Sequence, residues 1–324
     1  MEAEKAVLIE AWKICSEGKH KNADQYQKAY EYIEHFKHTS IYLLDIGFEF
    51  AFMAESFELG HFGLQLIGDL IKFKWKDIDG NTKNDVKNKL TYLITNLSRK
   101  NINSNLVEYP VYFKNTLCLT FLELIKRVWP QNWPTLLNEL AEVSKKSVDQ
   151  KILVFIIYKF IVEEFITNEN PNLPAQRRKD ITQYLNAHME YVYGFFLESL
   201  EDSFNCIKIE TNPSLLKNHI SILSSCLSCI NNYVDWINIS FVFSRNYSLI
   251  NIIFALFHHK DLCVDAAKCF ITILNRKGSV VERKPLSNLF NDELLAQIYV
   301  CIKNSLTDSS FKELLKYIIL FKFY

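Results

Sequence analysis

Apolar residues return every three or four positions along nearly the whole chain, the spacing that lays one buried stripe along an α-helix. Tyr26, Ala29, Tyr30, Ile33 and Phe36 follow it, with Asp24 as the expected N-cap of a helix reaching about Lys37. An earlier helix covers Lys5–Ser16, and Thr39 or Ser40 opens the next. In His61–Trp75, the residues Phe62, Leu66, Leu70 and Phe73 fall on one side, and His61, Gln65, Asp69 and Lys72 on the other. The stretch Asp77–Thr82 reads as a loop from its Asp, Gly and Asn content. The same periodicity predicts helices near 83–100, 106–127, 135–144, 149–167, 175–204, 213–234, 246–259, 261–276, 287–304 and 309–322, with a loop ending at Pro174. That makes about fourteen helices, or about seven hairpins, near the ~40–47-residue period of HEAT-type repeats.

A helical hairpin of this size does not bury its apolar face alone. Stacked neighbours close the core, so the pattern predicts an all-α, extended and curved solenoid of antiparallel helix hairpins. No low-complexity linker or obvious domain break interrupts it. One corner stands out, Val128-Trp129-Pro130-Gln131-Asn132-Trp133-Pro134. Neither proline continues a helix, and each suits a first helical turn. Trp129 and Trp133 are placed to pin the corner.

Composition narrows the class. The 324 residues are 49% hydrophobic, enough for a sizeable core, and only 8 Gly and 7 Pro argue against a turn-rich all-β fold. The 37 basic residues balance the 37 acidic ones, so nothing global attracts nucleic acid, and any RNA contact must come from local patches. Cysteines stand at 15, 118, 206, 226, 229, 263, 269 and 301, most of them inside apolar helical patterns. The first turn carries Glu2, Glu4 and Lys5 instead of a secretory leader. The expectation is reduced, buried thiols in a cytosolic or nuclear protein. Cys226 and Cys229 have redox-motif spacing but read as two core thiols on one helix face. The run Ile152–Val162, broken by Lys159, is too short to span a bilayer, so no membrane insertion is expected.

Nothing points to catalysis. The phosphate-loop, dinucleotide, nucleophile-elbow and zincin motifs are absent. The His residues are scattered; His35 with His38, and His259 with Cys263, lack a third ligand at zinc-site spacing. The pair Glu163–Glu164 falls on a solvent-type face. Neither enzyme activity, a metal nor a cofactor is expected. Aromatic residues such as Phe155, Tyr158 and Phe165 recur at core spacing rather than as a base-stacking platform. Basic residues gather at Arg177, Arg178 and Lys179 on a helix start, at Arg276 and Lys277 on a helix end closed by Gly278, and at Arg283 and Lys284 in the following loop. They read either as solvated charges or as contacts to an acidic partner or to phosphates.

Four stretches carry a resemblance. Ile125–Leu140, with its W-P-x-x-W-P corner, resembles the exportins of the importin-β (karyopherin) superfamily, where such a corner follows the third repeat. His61–Trp75 resembles the end of the importin-β N-terminal module. Leu173–Ile181, and Tyr233–Phe290 with its AAKCFITILNRKGSVVERKPLSNLF tail, resemble the branch that exports double-stranded RNA hairpins. The stretches keep the family's order and similar spacing.

The resemblance implies a right-handed superhelical HEAT solenoid, with an importin-β-like module over 1–76 and exportin-type HEAT repeats over 77–324. The chain then reads as the N-terminal part of a longer exportin, or as a truncated gene product. The implied function is nuclear export: RanGTP and an RNA hairpin such as a pre-microRNA bind cooperatively, nuclear pore proteins are further partners, and the protein shuttles between nucleus and cytoplasm. In the family the second helix of each hairpin lines the concave surface that cradles Ran, which assigns Ran contacts to Glu31, Glu34, Lys37, Gln65, Asp69 and Lys72. The basic residues at 177–179, 276–277 and 283–284 are assigned to RNA or another partner. One departure is Gly60, where the family commonly carries a basic residue. The alternative function is a HEAT scaffold or protein cargo carrier with no RNA role.

Overall fold

A computed structural model describes residues 1–287 apart from 19–20, 53–55, 98–99, 103–104 and 168–172, and beyond them only positions 296, 299 and 303. The expected helix at 309–322, nearly all of that at 287–304, and Cys301 lie outside the described residues. The chain divides into two compact units, Met1–Asn132 and Trp133–Tyr324. The division falls inside the Trp-Pro corner, where periodicity gave no break. Residue 76 marks no gap in packing, because helices on either side of it touch.

The first unit contains α1 (Glu2–Glu17), α2 (Ala23–Thr39), α3 (Leu43–Phe52), α4 (Phe57–Phe73), α5 (Gly80–Asn96) and α6 (Val111–Val128). These pair as α1–α2, α3–α4 and α5–α6, and the second helices α2, α4 and α6 touch in succession. A small antiparallel hairpin, β1 (Lys100–Ile102) and β2 (Asn105–Val107), joins α5 to α6. It replaces the ends of two expected helices. Pro110 disfavours helix for the residue before it, so α6 starts only at Val111.

Local chemistry sets the other helix starts. Asn22, not Asp24, caps α2; its side-chain oxygen accepts from the N–H groups of Asp24 and Gln25. Asp79 caps α5 in the same way, so the expected loop at 77–82 already contains the first helical turn.

The core of this unit gathers Leu8, Ile33, Phe36, Ile46, Phe50, Phe62 and Leu66, with Trp12 stacked on Phe62 at 6.3 Å. Two expected stripe residues face out instead: Tyr30 is 48% and Phe73 67% exposed. Tyr30 lies at the margin of its stripe, whereas Phe73 is on the stripe's angle but is the last residue of α4, where the helix ends. Helices α3 and α4 approach closest at Gly47 and Gly63. A Cβ on Gly63 would sit 2.5 Å from the Gly47 carbonyl oxygen, so only glycine fits there.

The second unit begins with α7 (Leu136–Ser144) and α8 (Val148–Val162), which ends in a π-helical turn at Glu163–Thr167. Then come α9 (Ala175–Ala187), α10 (Met189–Ile209), α11 (Pro213–Tyr233), the single turn α12 (Ile239–Val242), α13 (Ser244–Leu256), α14 (Cys263–Leu274) and α15 (Val280–Ser287). Hairpins α7–α8, α10–α11 and α13–α14 form, and α8, α11 and α14 touch in succession. Each unit is therefore a helical stack of HEAT type, as the periodicity required.

The single helix expected at 175–204 is two. It breaks at His188 (φ −107°, ψ 13°), whose ring nitrogen lies 2.9 Å from the Tyr184 carbonyl oxygen. Of the seven described cysteines, Cys118, Cys226, Cys229, Cys263 and Cys269 are buried, and all seven are free thiols. Burial pushes the Cys269 thiol up to about 12. At the head of α13, Arg245, Asn246 and Tyr247 adopt left-handed φ values of 49°, 54° and 62°. For a non-glycine residue this costs roughly 1–2 kcal/mol each, least for Asn.

A recurrent tie joins successive second helices at their C-terminal ends. Lys74 Nζ donates to the His38 carbonyl at 2.6 Å, from α4 to α2. Arg127 donates to the Ile71 and Lys72 carbonyls at 3.2 and 2.6 Å, from α6 to α4. Arg276, just past α14, donates to Val234 at 2.7 Å and to Ile237, at the end of α11.

Both corner tryptophans are buried. The peptide bond Trp129–Pro130 is cis. Trp133 Nε1 donates to Glu139 Oε1 at 3.0 Å, which fixes the residue against the first turns of α7. Trp133→Ala is therefore expected to destabilise the fold by about 3–5 kcal/mol. Thermal unfolding monitored by circular dichroism checks this; a melting temperature unchanged from wild type would remove the structural role.

Candidate functional site

Helices α2 and α4 are consecutive second helices of their hairpins, and their polar stripes carry all six residues assigned to one partner. The structure brings three of them together. Lys37 Nζ lies 2.9 Å from Glu34 Oε1 and 3.0 Å from Asp69 Oδ2, bridging α2 to α4. Burial opposes the Lys37 charge, and the two carboxylates outweigh it, so its pKa is raised. Pairs this exposed contribute about 1 kcal/mol or less each.

The other three stand apart from this bridge. Glu31 accepts from Gln27 Nε2 at 2.7 Å and is exposed. Gln65 is exposed one turn before Asp69, and Lys72 is exposed with its Nζ 5.3 Å from the Phe73 ring. His61 leaves the solvent stripe. It is half-buried, edge-on to Tyr112 at 5.4 Å, and burial lowers its pKa.

The surface presents three carboxylates, two ammonium groups and one carboxamide. It is a mixed polar face suited to a protein partner rather than to bare phosphate. Gly60, beside this stripe, is buried: a Cβ there would come within 2.9 Å of the Phe113 ring. A long basic residue at that position has no room unless α6 shifts.

The basic residues divide more sharply. Arg177 and Arg178 lie half-buried on the first turn of α9, and Lys179 beside them is exposed. Desolvation lowers the Arg177 pKa against the pull of Asp180. Arg276 spends two of its donors on the carbonyls of Val234, at the end of α11, and of Ile237 just beyond it, so it has a stacking role whether or not it meets a partner. Lys277 is exposed, and Arg283 and Lys284 are exposed on α15 rather than in the expected loop. Gly278 lies four residues beyond the end of α14 and does not close that helix.

Two features escaped the sequence reading. The bridge from Lys37 to Asp69 joins residues with no local pattern connecting them. Arg127 drew no notice beside the Trp-Pro corner. A loose signal for it exists: Lys74, Arg127 and Arg276 each lie within two residues of the C-terminal end of a second helix, just past α4, just inside α6 and two residues past α14. Among the described residues, no group of three or more His, Cys, Asp or Glu is placed to hold a metal ion, and no helix is long and apolar enough to cross a membrane.

Residues 110–270 match the model of the family described as Exportin 1-like protein. The human protein Exportin-5 is 32% identical over 269 residues, covering 82% of this chain. This chain is an exportin relative. Exportin-5 of Dictyostelium discoideum is 28% identical over 69% of the exportin-like chain, and Exportin-1 of Schizosaccharomyces pombe 19% over 57%. The matches take in 22%, 20% and 16% of those relatives' own lengths, so the exportin-like chain spans about a fifth of them.

The carbonyl tie made by Arg276 is separable from partner binding. Arg276→Gln is expected to destabilise the exportin-like chain by about 1.5–3 kcal/mol, the range for hydrogen bonds to a charged group, whereas Lys277→Gln stays within about 0.5 kcal/mol. Urea unfolding of both variants is the check. Equal stabilities would remove the stacking role of Arg276.

Proposed function

We propose that this chain is the Ran- and cargo-binding N-terminal part of a nuclear export receptor of the exportin-5 type. The observation that carries the proposal is the similarity to Exportin-5 over 82% of the chain. The polar face shared by α2 and α4 supports it, since the residues that face offers are those the family resemblance assigns to RanGTP. In this reading the protein binds partners and releases them, without chemistry of its own. RanGTP and a double-stranded RNA hairpin bind the same receptor, and each raises the affinity for the other by the same factor. Loss of the GTP form removes that coupling and frees the cargo. The receptor then shuttles between nucleus and cytoplasm, with nuclear pore proteins as transit partners.

Immobilised Ran is the direct test. Ran loaded with GTP is expected to retain the chain at least about tenfold better than Ran loaded with GDP, about 1.4 kcal/mol of coupling. Replacing Gln65 and Lys72 with Glu is expected to abolish that preference without changing the melting temperature, because both side chains are exposed. Equal retention of the two nucleotide forms by the folded wild-type chain would sink the Ran assignment.

RNA contact in this reading rests on Lys179, Lys277, Arg283 and Lys284, the exposed members of the basic clusters. For each phosphate they neutralise, the logarithm of affinity falls by roughly 0.7–0.9 per decade of salt. Arg283→Gln with Lys284→Gln is expected to flatten the slope for a hairpin RNA by about 1–2. No salt-dependent binding of the hairpin at all would favour the protein-cargo reading.

A further inference from the structure

Between α14 and α15 the chain runs Arg276-Lys277-Gly278-Ser279-Val280, and it continues to Arg283 and Lys284 on α15. Cations thus stand two and three residues before one serine, and four and five after it. Protein kinases select substrates by charge patterns of this kind. The pattern alone is not enough: the hydroxyl must be at the surface, and its segment must be able to lie extended in the kinase cleft. Lys277, Gly278 and Ser279 are exposed, and residues 276–279 lie outside helix and strand. On the downstream side α15 opens readily. It has eight residues, fewer than the roughly 12–15 that an isolated helix needs in water, and Pro285 inside it has no N–H to return to Val281. On the upstream side Arg276 is anchored to the Val234 and Ile237 carbonyls. The cations an approaching enzyme meets are therefore Lys277, Arg283 and Lys284, all exposed.

Ser279 also stands at the N-cap position of α15, since its carbonyl accepts from the Arg283 N–H at 3.0 Å. A phosphate on its hydroxyl would sit at the positive end of the helix dipole, where negative charge is favoured. Residues 276–284 carry four cations against Glu282. A phosphoserine adds about −1.5 to −2 charges, which cancels half or more of that excess.

We propose that Ser279 is a phosphorylation site for a serine kinase directed by basic residues, and that its phosphate silences the basic set around it. The hydroxyl oxygen attacks the γ-phosphorus of ATP, and the bond to the β,γ-bridging oxygen breaks. ADP leaves with that electron pair, and a carboxylate base of the kinase takes the hydroxyl proton. The proposal is independent of the Ran and RNA assignments, because any polyanion reports the charge of the segment.

The test incubates the full chain with protein kinase C and Mg-ATP, and maps the phosphate by mass spectrometry. Phosphate on Ser279 is expected. Lys277→Ala is expected to slow its incorporation there about two- to fivefold, the range for loss of one exposed ion pair. The phosphorylated chain is then expected to leave a heparin column at lower salt than Ser279→Ala put through the same incubation, a variant that keeps the fold because the side chain is exposed. No phosphate on Ser279, from a kinase active on its standard peptide substrate, would overturn the proposal. So would equal heparin elution of Ser279→Ala and of the chain phosphorylated at Ser279.

Discussion

Every α-helix ends with carbonyl groups that have no partner inside the helix. In a stack of hairpins the problem recurs at the ends of second helices. At three of them the following second helix answers it with a cation: Lys74 for α2, Arg127 for α4 and Arg276 for α11. Each donates to carbonyls at the negative end of a helix dipole, where positive charge is favoured twice over. The guanidinium fork suits the two sites where two carbonyls stand at one helix end, and an ammonium serves where one does. These ties fix the ends of α2, α4 and α11 against the following second helices, alongside the apolar contacts between the same helices.

The sides of the same helices carry a second set of ties. Tyr233 donates to the Tyr158 carbonyl at 3.1 Å and Asn232 to Glu163 at 2.8 Å, joining α11 to α8. Ser224 donates to Asp265 at 2.5 Å and Thr272 to Asn231 at 2.7 Å, joining α14 to α11. Lys37 with Asp69 is the counterpart between α2 and α4. That equivalence matters for the stripe proposed to face Ran. Half of its assigned residues already hold the stack together, so substituting Lys37 or Asp69 changes both packing and surface. Glu31, Gln65 and Lys72 lie outside the bridge, and effects on binding are cleanest to read there.

The periodicity of apolar residues carried most of the fold, because a stripe at helical spacing has few other uses. It found the pairs around α3–α4, α10–α11 and α13–α14 and the burial of Trp129 and Trp133. It failed where a single residue overrides a long pattern. His188 splits one expected helix without proline or glycine to announce it, and Pro110 delays α6 while the chain forms a short strand pair. Tyr30 is apolar enough to join a stripe yet sits at its edge, and Phe73 falls on its stripe only at the last residue of α4. The candidate site was legible as a polar stripe on α4, but the bridge to α2 depends on which helices stack. No spacing within one helix encodes that. The left-handed turn at Arg245–Tyr247 had no signal either, since only Asn246 among its residues favours that conformation.

Net charge says little about where charge is available. A balance of 37 against 37 leaves any contact with a charged partner to local patches. In the structure much of that balance is internal. Arg276 is spent on carbonyls, Lys37 on two carboxylates, Arg245 on Glu201, and Lys126 on Glu123 at 2.7 Å. Lys37, Arg245 and Lys126 contribute little field beyond the surface, because each has a carboxylate within a few ångströms, whereas Arg276 keeps its charge and spends donors on carbonyls. What a partner meets is the remainder, unevenly distributed: mixed and near neutral on α2 and α4, basic at Lys277 and along α15. The sum over the chain therefore describes the requirements of stacking. Recognition is set by the few side chains that stacking leaves exposed.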